Sequence, residues 1–275
     1  MHDRLKLGGR WLRGLALTLL LATGCRGEKD PATVGSTTAT VGRIGENRYY
    51  TPANQILTPT GLQVELPDLR PQALALSPDG KRLVTAGKTP ELVVIEPATG
   101  KILQRVMLPS DSDKDPAPDA VSTHMLKPDN EGQVSYTGLV FSPDGARIYL
   151  ANVNGSIKVF GVENGTNVIG LFSIALPPAN APDRKPEIPA GIAISPDGKT
   201  LYVCGNLSNR LLELDTSNGR LLRTWDVGVA PYDVVLAGNK AYVSNWGGRR
   251  PDAKSLTGPA GRGTFVRVDP VRHIA

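Results

Sequence analysis

Cysteine is almost missing from this chain, with two residues in 275, Cys25 and Cys204. Cys25 closes an N-terminal apolar segment treated below. With Cys25 acylated, Cys204 has no partner, and a disulfide framework is excluded. Cys204 sits mid-strand in LYVCG and reads as a small buried hydrophobe rather than a reactive thiol. Histidine is as scarce: beyond the first 24 residues only His124 and His273 occur, without ligand-like spacing. HExxH and the GxSxG nucleophile elbow are absent. Gly198-Lys199-Thr200 ends like a Walker A loop, but Ala193 stands where the first glycine belongs and no helix follows. Asp111-x-Asp113-x-Asp115 begins like an EF-hand loop, yet Pro116 takes the sixth position and Ser122 the twelfth, so a solvated acidic loop is the default. No catalytic residue, metal site or cofactor is therefore expected. No run of five or more Lys/Arg occurs either. The formal charge of +5 falls to +2 once the first 24 residues, with four Lys/Arg and one Asp, are set aside. Nucleic acid is therefore not an expected partner.

What is present first is an export signal. Arg4, Lys6, Arg10 and Arg13 precede the apolar run Leu15 to Ala22, which is too short to span a bilayer. It ends in Leu21-Ala22-Thr23-Gly24-Cys25, which resembles a bacterial lipobox. The resemblance implies cleavage before Cys25 and lipid attachment to its sulfur; a plain signal peptide with an incidental Cys25 is the alternative. Residues 1–24 are thus expected to be a lipoprotein signal peptide and 25–48, polar and small, a flexible tether. The expected location is the bacterial cell envelope, anchored to a membrane.

Beyond the tether one phrase recurs: ALALSPDGKRLVTAG (73–87), GLVFSPDGARIYLAN (138–152) and GIAISPDGKTLYVCGN (191–206), with a degenerate copy, PYDVVLAGNKAYVSNWG (231–247). Each is an alternating apolar run, a Ser-Pro-Asp-Gly turn and a second alternating run. Proline presets φ, aspartate caps the turn and glycine takes the positive φ. Repeated antiparallel hairpins predict an all-β fold, a β-propeller of four-stranded blades over 49–275. In the first unit the strands fall at 73–76, 82–86, 92–95 and 102–108. Gly plus Pro, 53 of 275 residues, sit between these periodic segments, and long helical patterns are absent. The serines of the three phrases lie 65 and 53 residues apart, and the fourth turn, at Ala237, follows 42 residues later. A repeat near 42 with insertions at about 110–135 and 177–189 explains the spacing.

SPDG followed by Leu201-Tyr202-Val203, and Tyr242-Val243-Ser244-Asn245, are similar to the repeats of the YVTN-type (YncE-like) β-propeller family; Tyr149-Leu150-Ala151-Asn152 is a looser copy. The resemblance covers roughly residues 60–275 and implies seven blades. About four are readable here, the last strand being a strand c at 263–269, so an incomplete ring is expected, with self-association through its open blade edges. Longer proteins of this kind carry a phosphoesterase domain after the propeller, whose activity cannot be transferred to this chain.

In such blades the insertions at 110–135, 177–189 and 247–263 all fall on one rim, which is where repeat arrays commonly bind. Candidate ligand-binding residues on that rim are Asn152, Asn154, Asn206, Asn209, Asn245, Trp246, Arg249 and Arg250. An aromatic plate beside two guanidinium forks suits an anionic or carbohydrate-like ligand. The expected function is a binding platform for an unknown ligand or envelope protein. A lactonase-like, metal-dependent propeller and the binding half of a phosphoesterase fusion are the alternatives.

Overall fold

The computed structural model describes residues 40–111, 128–179, 181–261, 264–269 and 271, which divide between Gly61 and Leu62 into two compact units. Cys25, His124 and His273 lie outside the described residues. In the first unit β1 (Gly42–Gly45), β2 (Arg48–Tyr50) and β3 (Ile56–Leu57) make a small meander, with Asn47 at positive φ in the first turn. Strand β1 and the first residue of β2 therefore fall within the stretch expected to be a tether.

The second unit is a β-propeller array. Its first sheet is β4 (Ala73–Leu76), β5 (Leu83–Ala86), β6 (Glu91–Ile95) and β7 (Ile102–Met107). The second is β8 (Val134–Phe141), β9 (Arg147–Asn152), β10 (Ser156–Glu163) and β11 (Asn167–Ala175). The third is β12 (Pro189–Ile194), β13 (Thr200–Gly205), β14 (Arg210–Asp215) and β15 (Leu221–Asp226). Each is an antiparallel meander in sequence order, and the first strands β4, β8, β12 and β16 (Pro231–Ala237) pack against one another in succession as the innermost layer.

Period-two alternation gives each blade two apolar faces, one for each neighbour. Ile148 and Leu150 of β9 meet Val84, Leu92 and Val94 of the first sheet. Tyr149 and Ala151 point the other way, to Leu201, Val203 and Leu212 of the third. Cys204 and Leu211 then meet Val234 of β16. On the outer face of the first sheet, Val64, Leu66 and Leu69 lie over Val93 and Ile95, while Leu74 and Leu76 stay 65% and 55% exposed.

The three SPDG turns share one hydrogen-bond circuit. Ser77 Oγ donates to Asp79 Oδ1 at 2.6 Å and accepts from the Arg82 amide at 2.9 Å; the Lys81 amide donates to the same carboxylate oxygen. Ser142 and Ser195 repeat it. Gly80, Gly145 and Gly198 sit at φ of 70° to 72°, where glycine alone is unstrained. Successive turns also touch: a Cβ placed on Gly145 would meet the Pro78 ring at 3.5 Å, and one on Gly198 the Pro143 ring at 3.5 Å.

The fourth unit differs from expectation. β16 pairs with β17 (Lys240–Asn245), but β19 (Phe265–Arg267), read above as strand c, pairs with β18 (Thr257–Pro259) instead of β17. Strand β18 lies inside the stretch read as a loop. Gly247, Gly248 and Pro251 break the alternation after β17. Arg250 then folds back onto the carbonyls of Val227 and Asn209, carrying the chain away from the β17 edge.

The insertion at 110–135 is tied down at both ends. Lys158, fully buried on β10, places Nζ 2.7 Å from Asp111 Oδ1, 2.8 Å from Asp129 Oδ2 and 2.7 Å from the Pro109 carbonyl. Ser156 donates to Asp111 as well.

Candidate functional site

Tyr136, Tyr232 and Trp246 meet at the insertion-bearing end of the inner strands, in a chain with only 5% aromatics. The Tyr232 and Trp246 rings stack at 4.7 Å and 19°; Tyr136 stands edge-on to both, at 5.6 Å and 5.2 Å. Such pairs contribute about 0.5–1.5 kcal/mol each beyond their burial. The backbone that presents them is strained. Eight non-glycine residues among those described have positive φ, and five are Asn or Asp, which tolerate it. The other three are Arg70, Tyr136 (φ 52°) and Ala230 (φ 51°), and the last two belong to this site. Tyr136 falls within the register shift between Val134 and Leu139, a bulge that re-aims its side chain. Ala230 is held on both sides: its amide donates to Asn209 Oδ1 at 2.8 Å, and its carbonyl accepts from the Trp246 amide at 3.0 Å. Gly247 must be glycine, because a Cβ there would lie 2.8 Å from Val229 and 2.9 Å from Val266. Beside Trp246 lies a cavity of about 370 Å³ lined by residues of three blades and the β18–β19 hairpin.

No protein-family model and no curated protein matches the chain. Several solved structures do. Hydrazine synthase of Kuenenia stuttgartiensis superposes with a TM-score of 0.43 at 23% identity, over 64% of this chain and 41% of that one. The RRP9 WD40 repeats give 0.45 at 12% identity, over 62% and 43%. The computationally designed Ika4 protein gives 0.45 at 16% identity, over 69% and 95%. The chain thus spans about two-fifths of the length of the first two. At these scores the likenesses carry no statement about activity, and the propeller assignment rests on the sheets described above.

The residues singled out in the sequence divide between framework and site. Asn152 is buried and accepts from the Gln133 amide while donating to Ser156 Oγ. Asn154 is exposed and donates to the Glu131 carbonyl. Asn209 is in the left-handed region and supports Ala230. Asn245 donates to Val243 O, and its buried Oδ1 has no hydrogen-bond partner among the described residues. Arg250 is spent on framework contacts: Nε donates to Val227 O at 2.8 Å, and a terminal nitrogen reaches Asn209 O and Asp226. Arg249 is exposed, and its charge, after the Ser255 and Lys254 hydrogen bonds, helps hold the Asp252 carboxyl below its usual range. Asn206 and Trp246 line the cavity. The two guanidinium groups therefore do not form a paired fork beside Trp246.

Sequence reasoning missed Tyr136 and Tyr232, which stand in different blades and converge only in three dimensions. It also missed Glu187, nearly fully buried, whose carboxylate accepts from the amides of Ile188, Leu207 and Ser208 and so fastens the end of the 177–189 insertion to the turn after β13. A larger cleft of about 580 Å³ opens on the opposite rim between the second and third sheets. Its carboxylates are already engaged: Asp144 and Asp197 each take a serine hydroxyl and a backbone amide, which holds both below the usual carboxyl range. Among the described residues no group of three or more His, Cys, Asp or Glu is placed to hold a metal. Asp111, the first residue of the EF-hand-like stretch, is turned to Lys158.

Proposed function

We propose that this chain is an exported β-propeller that binds a ligand or partner protein through its insertion-bearing rim, is held to a bacterial membrane by a lipid on Cys25, and performs no catalysis by itself. The observation that carries this reading is the strained assembly around Trp246. Two residues kept in a costly backbone conformation both line one cavity, and such strain concentrates at functional sites. Trp246, 64% exposed, is the most solvent-accessible tryptophan or tyrosine of the rim cluster and fits a contact residue rather than a core one. Self-association belongs to the same reading, because Leu74 and Leu76 on one end sheet and Val235 and Tyr242 on the other are large, apolar and exposed.

Three measurements test it. A photo-crosslinking side chain at Arg249, on the proposed binding rim, should give adducts in cell envelopes, while one at Lys199 on the opposite rim should not. Equal yields from both positions, or none from Arg249, would sink the rim assignment. Cys25→Ser should release the protein from membranes and remove the lipid mass; retention of both refutes the anchor. Light scattering of the purified chain should report a mass above the monomer, and a monodisperse monomer would rule out self-association.

A further inference from the structure

Every joint between neighbouring blades is built from the same two sets of positions. Its trailing side is a cross-strand pair: Ala75–Val84 in the first sheet, Val140–Tyr149 in the second and Ala193–Tyr202 in the third. Its leading side belongs to the blade that follows: Leu139, Phe141 and Ile148 in the second sheet, Ile192, Ile194 and Leu201 in the third. Ala75 and Val84 pack against the first of these sets, and Val140 and Tyr149 against the other. Ala193 and Tyr202 meet Val234 and Val243 in the same way.

Both sides recur, bare, at the two ends of the array. Leu74 and Leu76 stand where Leu139 and Phe141, both buried, stand in the second blade, yet they are the most exposed leucines of the first sheet. At the other end Val235 and Tyr242 form a trailing pair. Tyr242 takes the place of Tyr149, which is 1% exposed, but is itself 54% exposed, and Val235 is 62% exposed. Apolar residues are thus kept at places that are buried wherever a neighbouring blade covers them. The two faces also correspond in position. Val64, Leu66 and Leu69 cover the middle of the first sheet, over Val93 and Ile95, and leave its inner strand bare. The sheet at the far end consists of the two inner strands, β16 and β17.

We infer that a second copy of this chain occupies each end face: Val235 and Tyr242 of one copy seat on Leu74 and Leu76 of the other, and two copies close one ring through two identical joints. The inference rests on the self-association reading and names its partner and geometry. The internal joints are the template for the fit, since they bring the same two sides together within one chain. A trailing side meets a leading side, so the contact is head-to-tail and ends only where the ring closes. Propellers hold about four to eight blades, so two copies of four units reach the upper figure and leave no place for a third. The turns contribute nothing to this joint. A Cβ on Gly80 would meet nothing within 4 Å, and the fourth turn has no proline to fill that place. The sheet faces alone carry it.

The test is light scattering of the purified full chain and of opposite-charge variants at its two ends. The unaltered chain should have twice the monomer mass. Leu76→Glu and Tyr242→Lys should each weaken dimerisation at least about thirtyfold. An equimolar mixture of the two variants should regain the dimer, because one of its joints is unaltered and the other pairs Glu with Lys. Leu221→Lys, at an exposed leucine off both faces, should leave the mass unchanged. Where a charged variant loses its circular dichroism signature, Leu76→Gln and Tyr242→Ser replace the pair and should weaken the dimer in the same order. A monomeric unaltered chain overturns both the inference and self-association. A dimer that responds to one substitution and ignores the other is isologous; it rejects the head-to-tail joint and leaves self-association standing. A dimer that survives both substitutions, or a mixture that stays monomeric, rejects these faces, and a mass that grows with concentration beyond the dimer rejects the closed ring.

Discussion

Replacing Lys158 by methionine isolates a fully buried charge that faces two carboxylates. Methionine fills much of the space of the lysine stem and removes the charge. The ammonium stands 2.7 Å and 2.8 Å from two carboxylates, and its side chain is fully buried. Breaking a buried pair by removing one partner costs about 3–5 kcal/mol, because the other charge stays uncompensated. The two carboxylates are not equivalent here. Asp111 is 43% exposed and can rehydrate, whereas Asp129 is 13% exposed and cannot do so freely. The Pro109 carbonyl keeps a weaker donor, Ser173 Oγ at 3.3 Å. These features place the loss at the lower end, about 3 kcal/mol. For a domain of this size that lowers the unfolding temperature by about 6–12 °C. Circular dichroism melts at neutral pH, paired with urea unfolding, measure it. Adding Asp129→Asn removes the stranded charge and keeps the turn acceptor for the Glu131 amide; it should restore at least half of the loss. A drop below about 1 kcal/mol, within the range of an ordinary surface pair, or no recovery in the double variant, would refute the argument that this cluster is a closed, desolvated one.

Three further outcomes concern Ala230, the SPDG aspartates and Cys204. Ala230→Gly removes a Cβ from a backbone at φ 51° and should raise stability by up to about 1 kcal/mol; a destabilised variant would mean that the alanine is not strained. Serine hydroxyls and backbone amides hold the carboxyls of Asp79, Asp144 and Asp197 below their usual range. Their contribution is therefore fully present above the unfolded value of about 3.9 and is lost as pH falls below it. The triple Asp→Asn variant should show a shallower fall in unfolding temperature below about pH 4, and an unchanged acid slope would contradict this. Burial, followed by the charge of Asp233, pushes the Cys204 thiol up to about 12. Thiol reagents at neutral pH should react with Cys204 only as fast as the chain unfolds, so a rapid burst in the native protein would disprove its burial.

Much of the array was legible because its signals are local. The four strands of the first sheet lie within one residue of the bounds read from alternation and turn residues alone, and the SPDG turns form the hairpins they encode. Legibility ended where pairing became non-local. Strands β18 and β19 are three residues each, too short to show a period, and they pair with each other rather than with β17. The candidate site was half visible. Trp246 announced itself as an aromatic followed by two flexible glycines, but Tyr136 lies 110 residues away, within a strand whose bulge has no turn signature. Charge was the misleading cue. In a sequence Arg250 looks available for a ligand, and only the fold reveals the carbonyls of Val227 and Asn209 that absorb it.

The approach of the first two SPDG prolines, Pro78 and Pro143, to the glycines of the turns that follow them has a consequence for how such an array can grow. Every phrase carries both halves of the joint: a ring to lean on and a bare backbone that leans. A tandem duplication of one unit would thus arrive with compatible ends on both sides, and no matching change elsewhere would be required. The fourth turn breaks the series. Ala237-Gly238-Asn239 lacks the proline, and a Cβ on Gly238 would meet nothing within 4 Å. Up to that turn the joint is copied with the repeat itself. Past it, any added unit would have to be joined by other means.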